Sequence, residues 1–109
     1  MDKNTLEQKI RQERFVKNNG KVLRTINMYR DRFMALSDLR FALEPNLSAD
    51  EIIDCVNYLS ESNFIRLRKR YTHEDTILAD TDFDEIEAKL SAEGIKLLAG
   101  RKTDECIEI

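Results

Sequence analysis

Four of the five residues in "RLRKR" are cations: Arg66, Arg68, Lys69 and Arg70. Guanidinium and ammonium groups neutralise phosphates, so a row of them suits contact with a polyanion. A second basic cluster, Lys9, Arg11, Arg14, Lys17, Lys21 and Arg24, crowds the N-terminal segment. On the outward side of segment 48–62, Asn57 and Tyr58 have side chains that suit base-edge contacts. An internal use competes with all of this: Arg66 and Arg68 can pair across a hairpin with Glu85 and Glu87.

Other chemistries find little material. The single histidine, His73, lies in a polar stretch without a Ser or Cys partner at a useful spacing, and no Gly-rich phosphate loop is present. The motif "DTDFDE" at 80–85 opens like a calcium loop, but Glu85 and Ser91 stand where that loop needs Gly and Glu. Cys55 and Cys106 are far apart and lack a Cys-x-x-Cys spacing, and Cys55 reads as a small buried apolar residue. The expectation is a non-enzymatic protein with no metal and no cofactor.

With 109 residues the chain suits one compact domain. No apolar run approaches the roughly 18 residues of a membrane span, and the N-terminal "MDKNTLEQKIRQER" lacks the apolar stretch of a signal peptide. A cytoplasmic protein with no membrane contact is expected. The net charge of −3 hides a split, because residues 1–43 sum to +5 and residues 44–109 to −8. Such a chain can meet a polyanion with its basic part, or associate with itself, base to acid.

Periodicity places these residues on elements. Residues 4–17 look helical, with sparse apolar points at Leu6, Ile10 and Phe15 or Val16. Asn18-Asn19-Gly20 reads as a turn. A helix over 21–33 follows, with Leu23, Ile26, Tyr29 or Arg30, and Phe33 at helical spacing. Ser37 is placed to cap a short helix burying Leu39 and Leu43, stopped by Pro45 and Asn46. Ser48 and Glu51 form an S-x-x-E capping box for a third helix, which buries Ile52, Val56 and Leu59 and ends at Asn63. Residues 64–71 and 84–90 alternate as two strands of a hairpin: Ile65 and Leu67, with Tyr71 as a further candidate, point inward, as do Ile86, Ala88 and Leu90. The segment "TIL" at 76–78 is a candidate extension of that hairpin. Ser91 caps a last helix that Gly100 ends, and the tail "RKTDECIEI" is expected to be extended or loose.

Three stretches in this order, "MALSDLRFAL", "LSADEIIDCVNYLSESNFI" and "AKLSAEGIKLLAG", resemble the second helix, the third helix with its following strand, and the strand-to-helix segment of winged-helix domains. The C-terminal part is also similar to small winged-helix proteins of Mu-like phages and prophages. The resemblance implies an α+β fold, mainly helical with a small β-hairpin. It divides the chain into an N-terminal helical arm (1–20), a winged helix-turn-helix domain (21–100) and a C-terminal tail (101–109). It also implies transcription regulation by association with double-stranded DNA. One feature of the chain opposes the usual groove-reading mode: segment 48–62 has four acidic residues and no Lys or Arg. Asp50, Glu51 and Asp54 would face phosphates, and an exposed Ile53 suits a protein contact better. DNA contact is therefore expected from the wing (Arg66, Arg68, Lys69, Arg70) and the arm (Arg14, Lys17, Lys21), with Asn57 and Tyr58 beside them. The alternative is a module in which Asp50, Ile53 and Asp54 dock a protein partner and DNA is not bound. Leu6 and Ile10 are expected to pack against a second copy, giving a homodimer.

Overall fold

A computed structural model of the chain describes residues 2–109. Helix α1 (Lys3–Ile26) leads through a 3₁₀ turn at Asn27–Tyr29 to strand β1 (Met34–Ala35). Helices α2 (Leu36–Leu43) and α3 (Ala49–Glu61) follow, then strands β2 (Ile65–Lys69) and β3 (Ile86–Leu90), and helix α4 (Ala92–Leu98). The strands form one antiparallel sheet in the order β1-β3-β2. Its inner face supplies Met34, Ile65, Leu67, Ile86, Ala88 and Leu90 to a core completed by Val22, Leu23, Leu39, Val56, Leu59 and Leu97. The α+β class agrees with the sequence reading.

Local chemistry explains the best-defined boundaries. The capping box of α3 is complete: Glu51 N–H donates to Ser48 Oγ, and Ser48 N–H donates to the Glu51 carboxylate. At its other end Asn63 takes φ 64°, Phe64 N–H donates to the Leu59 carbonyl and Asn63 N–H to that of Ser60. This is a Schellman closure, with Asn in the left-handed position. Helix α4 is capped by Ser91 and closed the same way at Gly100, whose φ is 76°. Gly94 of α4 rests on the turn between α3 and β2, where a Cβ would overlap the Phe64 carbonyl oxygen.

Five local expectations are corrected. Asn18-Asn19-Gly20 is not a turn, since α1 runs unbroken through it and across residue 20, and all three residues are buried. Helix 21–33 is shorter than expected. The α-helix stops at Ile26, and Tyr29 is 43% exposed. The chain must leave the helix there because Met34 and Ala35 pair with Ala88 and Glu87 in a strand that periodicity did not announce. That strand also displaces the expected cap: α2 begins at Leu36, one residue before Ser37, with no side-chain cap. The "TIL" segment is not a strand. Only Asp75 bridges to Arg68, with Thr76 N–H on the Leu67 carbonyl. Tyr71, beyond the end of β2, is 81% exposed rather than inward.

The tail is neither extended nor loose. Ile107 is buried in the core, Asn19 Nδ2 donates to the Cys106 carbonyl (2.9 Å), and Glu108 N–H donates to the Val16 carbonyl (3.2 Å). Asp104 Oδ1 receives Tyr58 Oη–H at 2.7 Å and Cys106 N–H at 2.8 Å. The tail backbone passes so close to α1 that a Cβ on Gly20 would overlap the Glu108 carbonyl oxygen. The glycine therefore serves a close approach of two backbones. Gly20→Ala is expected to lower the unfolding free energy by about 1–3 kcal/mol, although Ala exceeds Gly by about 1 kcal/mol in helix propensity. Urea unfolding measures the difference, and a gain in stability would show that the tail does not seat there.

Candidate nucleic-acid interface

The outer face of the sheet presents cross-strand rows. Arg66 stands opposite Lys89, and Arg68 opposite Glu87. Beyond the strand ends Arg70 N–H donates to the Glu85 carbonyl. Phe33 lies against this face, with the Arg68 guanidinium 3.7 Å and the Arg66 guanidinium 5.7 Å from its ring centroid.

Within this stripe the cations differ in availability. Arg68 Nε donates to Glu87 Oε1 at 2.6 Å, and both side chains are largely covered. Stacked on Phe33 as well, Arg68 is held in place by the fold rather than free for phosphate. The internal pairing thus forms for Arg68 and Glu87. It does not form for Arg66, which is exposed, faces Lys89, and has no ion pair among the described residues. Arg70 lies 5.8 Å from the Tyr71 ring centroid and donates to the Asp84 carbonyl. Lys69 leaves the stripe: it lines a recess with Asp80, Asp82 and Glu85, where acidic groups compete with any phosphate.

The α1 cations separate in the same way. Arg14 forms a two-pronged pair with Glu51, Nε to Oε2 at 2.9 Å and Nη2 to Oε1 at 3.0 Å. Asn18 Nδ2 adds a third donor at 3.0 Å. The Ser48 N–H, followed by Arg14 and Asn18, holds the Glu51 carboxyl below its usual range. Arg14, expected at DNA, instead fastens α1 to α3. Lys17 and Lys21, one turn apart on the same helix, stay exposed and form no ion pair among the described residues.

On α3, Asp50, Ile53, Asp54 and Asn57 are exposed, while Tyr58 is not available to DNA. Its hydroxyl is engaged by Asp104, and its ring meets Phe15 edge-on at 5.5 Å. Burial, followed by the hydrogen bond to Asp104, pushes the Tyr58 phenol up to about 12. Burial also pushes the Cys55 thiol up to about 12, which leaves it without thiolate character at neutral pH.

Two residues of this face escaped the sequence reading. Strand alternation alone turns Lys89 outward, but its pairing with Arg66 needs the strand register. Phe33 reads as the end of a helical stripe because β1, at two residues, is too short to show alternation. Among the described residues no helix is long and apolar enough to cross a membrane. No family model, curated protein or solved structure matches the chain.

Two measurements follow from these pairs. Glu51 is depressed in the folded state, so its contribution is present above the unfolded glutamate value and lost as pH falls through the folded one. Glu51→Ala is expected to cost about 1–3 kcal/mol at neutral pH, and the deficit relative to wild type should shrink in acid. Equal deficits at both ends of the titration would count against the pairing. In an ultraviolet titration, Tyr58→Phe should remove a phenol ionisation centred near 12; an unchanged profile in that range would show that Tyr58 is not engaged by the tail.

Proposed function

We propose that this chain is a small non-enzymatic winged-helix protein of phage or prophage type that associates with double-stranded DNA as a regulator. The sheet order β1-β3-β2 supports the fold reading, as does the run of three helices, a hairpin and a closing helix. Contact is made by the wing and α1, not by α3. The observation behind this is the Arg66–Lys89 pair. Like charges directly opposite in a sheet are destabilising by up to about 1 kcal/mol. Nothing within the described chain neutralises this pair. A phosphate set between the two relieves the repulsion and accepts hydrogen bonds from both. Arg70 along the stripe, and Lys17 and Lys21 on α1, extend backbone contact without reading sequence.

A second reading is favoured by α3 itself. Asp50 and Asp54 are exposed without ion-pair partners among the described residues, and Ile53 between them is 42% exposed. An apolar residue framed by two free carboxylates suits a basic protein surface.

A salt-dependent titration with duplex DNA separates the readings. Arg66→Ala with Lys89→Ala, which removes one phosphate contact, is expected to flatten the slope of log affinity against log salt by about 1. Asp50→Ala should leave the slope unchanged and tighten binding. Absence of binding at low salt would remove the DNA reading and leave α3 docking.

A further inference from the structure

The first half of α1 projects from the domain. Residues 3–14 are all exposed, a length of about 18 Å at 1.5 Å per residue. Leu6 and Ile10, one turn apart, are 51% and 50% exposed. Where this half leaves the domain, a groove of about 600 Å³ opens between α1 and the start of α3, with Ile10, Arg11, Asp50 and Asp54 in its walls. Lys9, Arg11, Asp50 and Asp54 form no ion pairs among the described residues. The groove therefore sets one free base, Arg11, beside the free acids Glu7, Asp50 and Asp54 and the Arg14–Glu51 pair, over an apolar contact at Ile10.

We infer that a second copy of this chain occupies this groove, its own projecting helix laid antiparallel against the first. Charge selects this occupant. A polyanion is repelled by Asp50 and Asp54, and a purely basic segment by Arg11. The projecting helix has both signs, Lys9 beside Glu7 and Glu13, so it can answer each wall. A two-fold axis through the Leu6–Ile10 pair makes the contact self-complementary: Leu6 of each copy meets Ile10 of the other. The inference is independent of DNA binding, because it uses neither Arg66 nor Lys89 and its test contains no nucleic acid.

Light scattering across a concentration series, without DNA and at about 0.15 M salt, measures the mass. Wild type is expected to rise from the single-chain 12.8 kDa towards twice that value. Leu6→Glu with Ile10→Glu, both on exposed positions, should keep the helical circular dichroism signal and weaken dimerisation by at least about tenfold. Asp54→Lys should weaken it most at low salt. A wild-type mass fixed at one chain at every concentration would overturn the inference. So would a dimer unaffected by Leu6→Glu and Ile10→Glu.

Discussion

The Glu51 carboxylate accepts hydrogen bonds from the Ser48 backbone, from Arg14 and from Asn18. It closes the first turn of α3 and fastens that turn to the middle of α1 with the same two oxygens. Most of the chain's arrangement depends on this node. With α1 fixed against α3, Asn19 and Gly20 on the neighbouring turn face the tail. One donates to the Cys106 carbonyl and the other gives room for the Glu108 backbone. Tyr58, further along α3, completes the seat through Asp104. Helix, helix and tail thus form one packed unit, from which the first half of α1 projects.

This packing decides which cations remain for other work. A buried or half-buried arginine needs a carboxylate, because an unpaired charge away from water is costly. The largely covered Arg68 finds one in Glu87, and the exposed Arg14 is held by Glu51, so both are committed to the fold. Arg66 and Lys89 share a row, so neither can serve as the other's counterion. The distinction lies in register, not in composition: a shift of the pairing by two residues would set Arg66 opposite Glu87. The same stripe of sequence therefore contains a structural cation and a free one two positions apart.

The parts of the fold legible in the sequence are those governed by local rules. Ser48 with Glu51, Asn63, Ser91 and Gly100 set helix ends through hydrogen bonds within a few residues, and strict alternation set the hairpin. The illegible parts are set by distant partners. Asn18-Asn19-Gly20 has the composition of a turn, yet the NH2 groups of its two amides donate to Glu51 and to the Cys106 carbonyl, and its glycine makes room for a backbone some 90 positions away in sequence, Glu108. Strand β1 is too short, at two residues, to show alternation. The candidate site shows the same division. Exposed Asp50, Ile53 and Asp54 follow from helical phase alone, whereas the commitment of Arg14 and Tyr58 requires knowing that residues 51 and 104 lie beside them.

The acidity of α3 is then not a defect in a nucleic-acid interface but a condition of the helix. Asp50 and Glu51 occupy its first turn, where the helix dipole and the unpaired N–H groups favour negative charge. Replacing them with Lys or Arg to suit a phosphate would cost the capping box and release Arg14 and Asn18 together. Helix α3 starts beside the groove in which α1 leaves the domain, so its outer carboxylates face the basic projecting segment rather than open solvent alone. The outer face of the sheet has no such obligation. Its rows are held by backbone pairing and by Phe33, so Arg66 and Lys89 can stay unpaired without loosening the core. The division of labour follows from these constraints: acid where a helix must start and be fastened, free base where the backbone alone holds the structure.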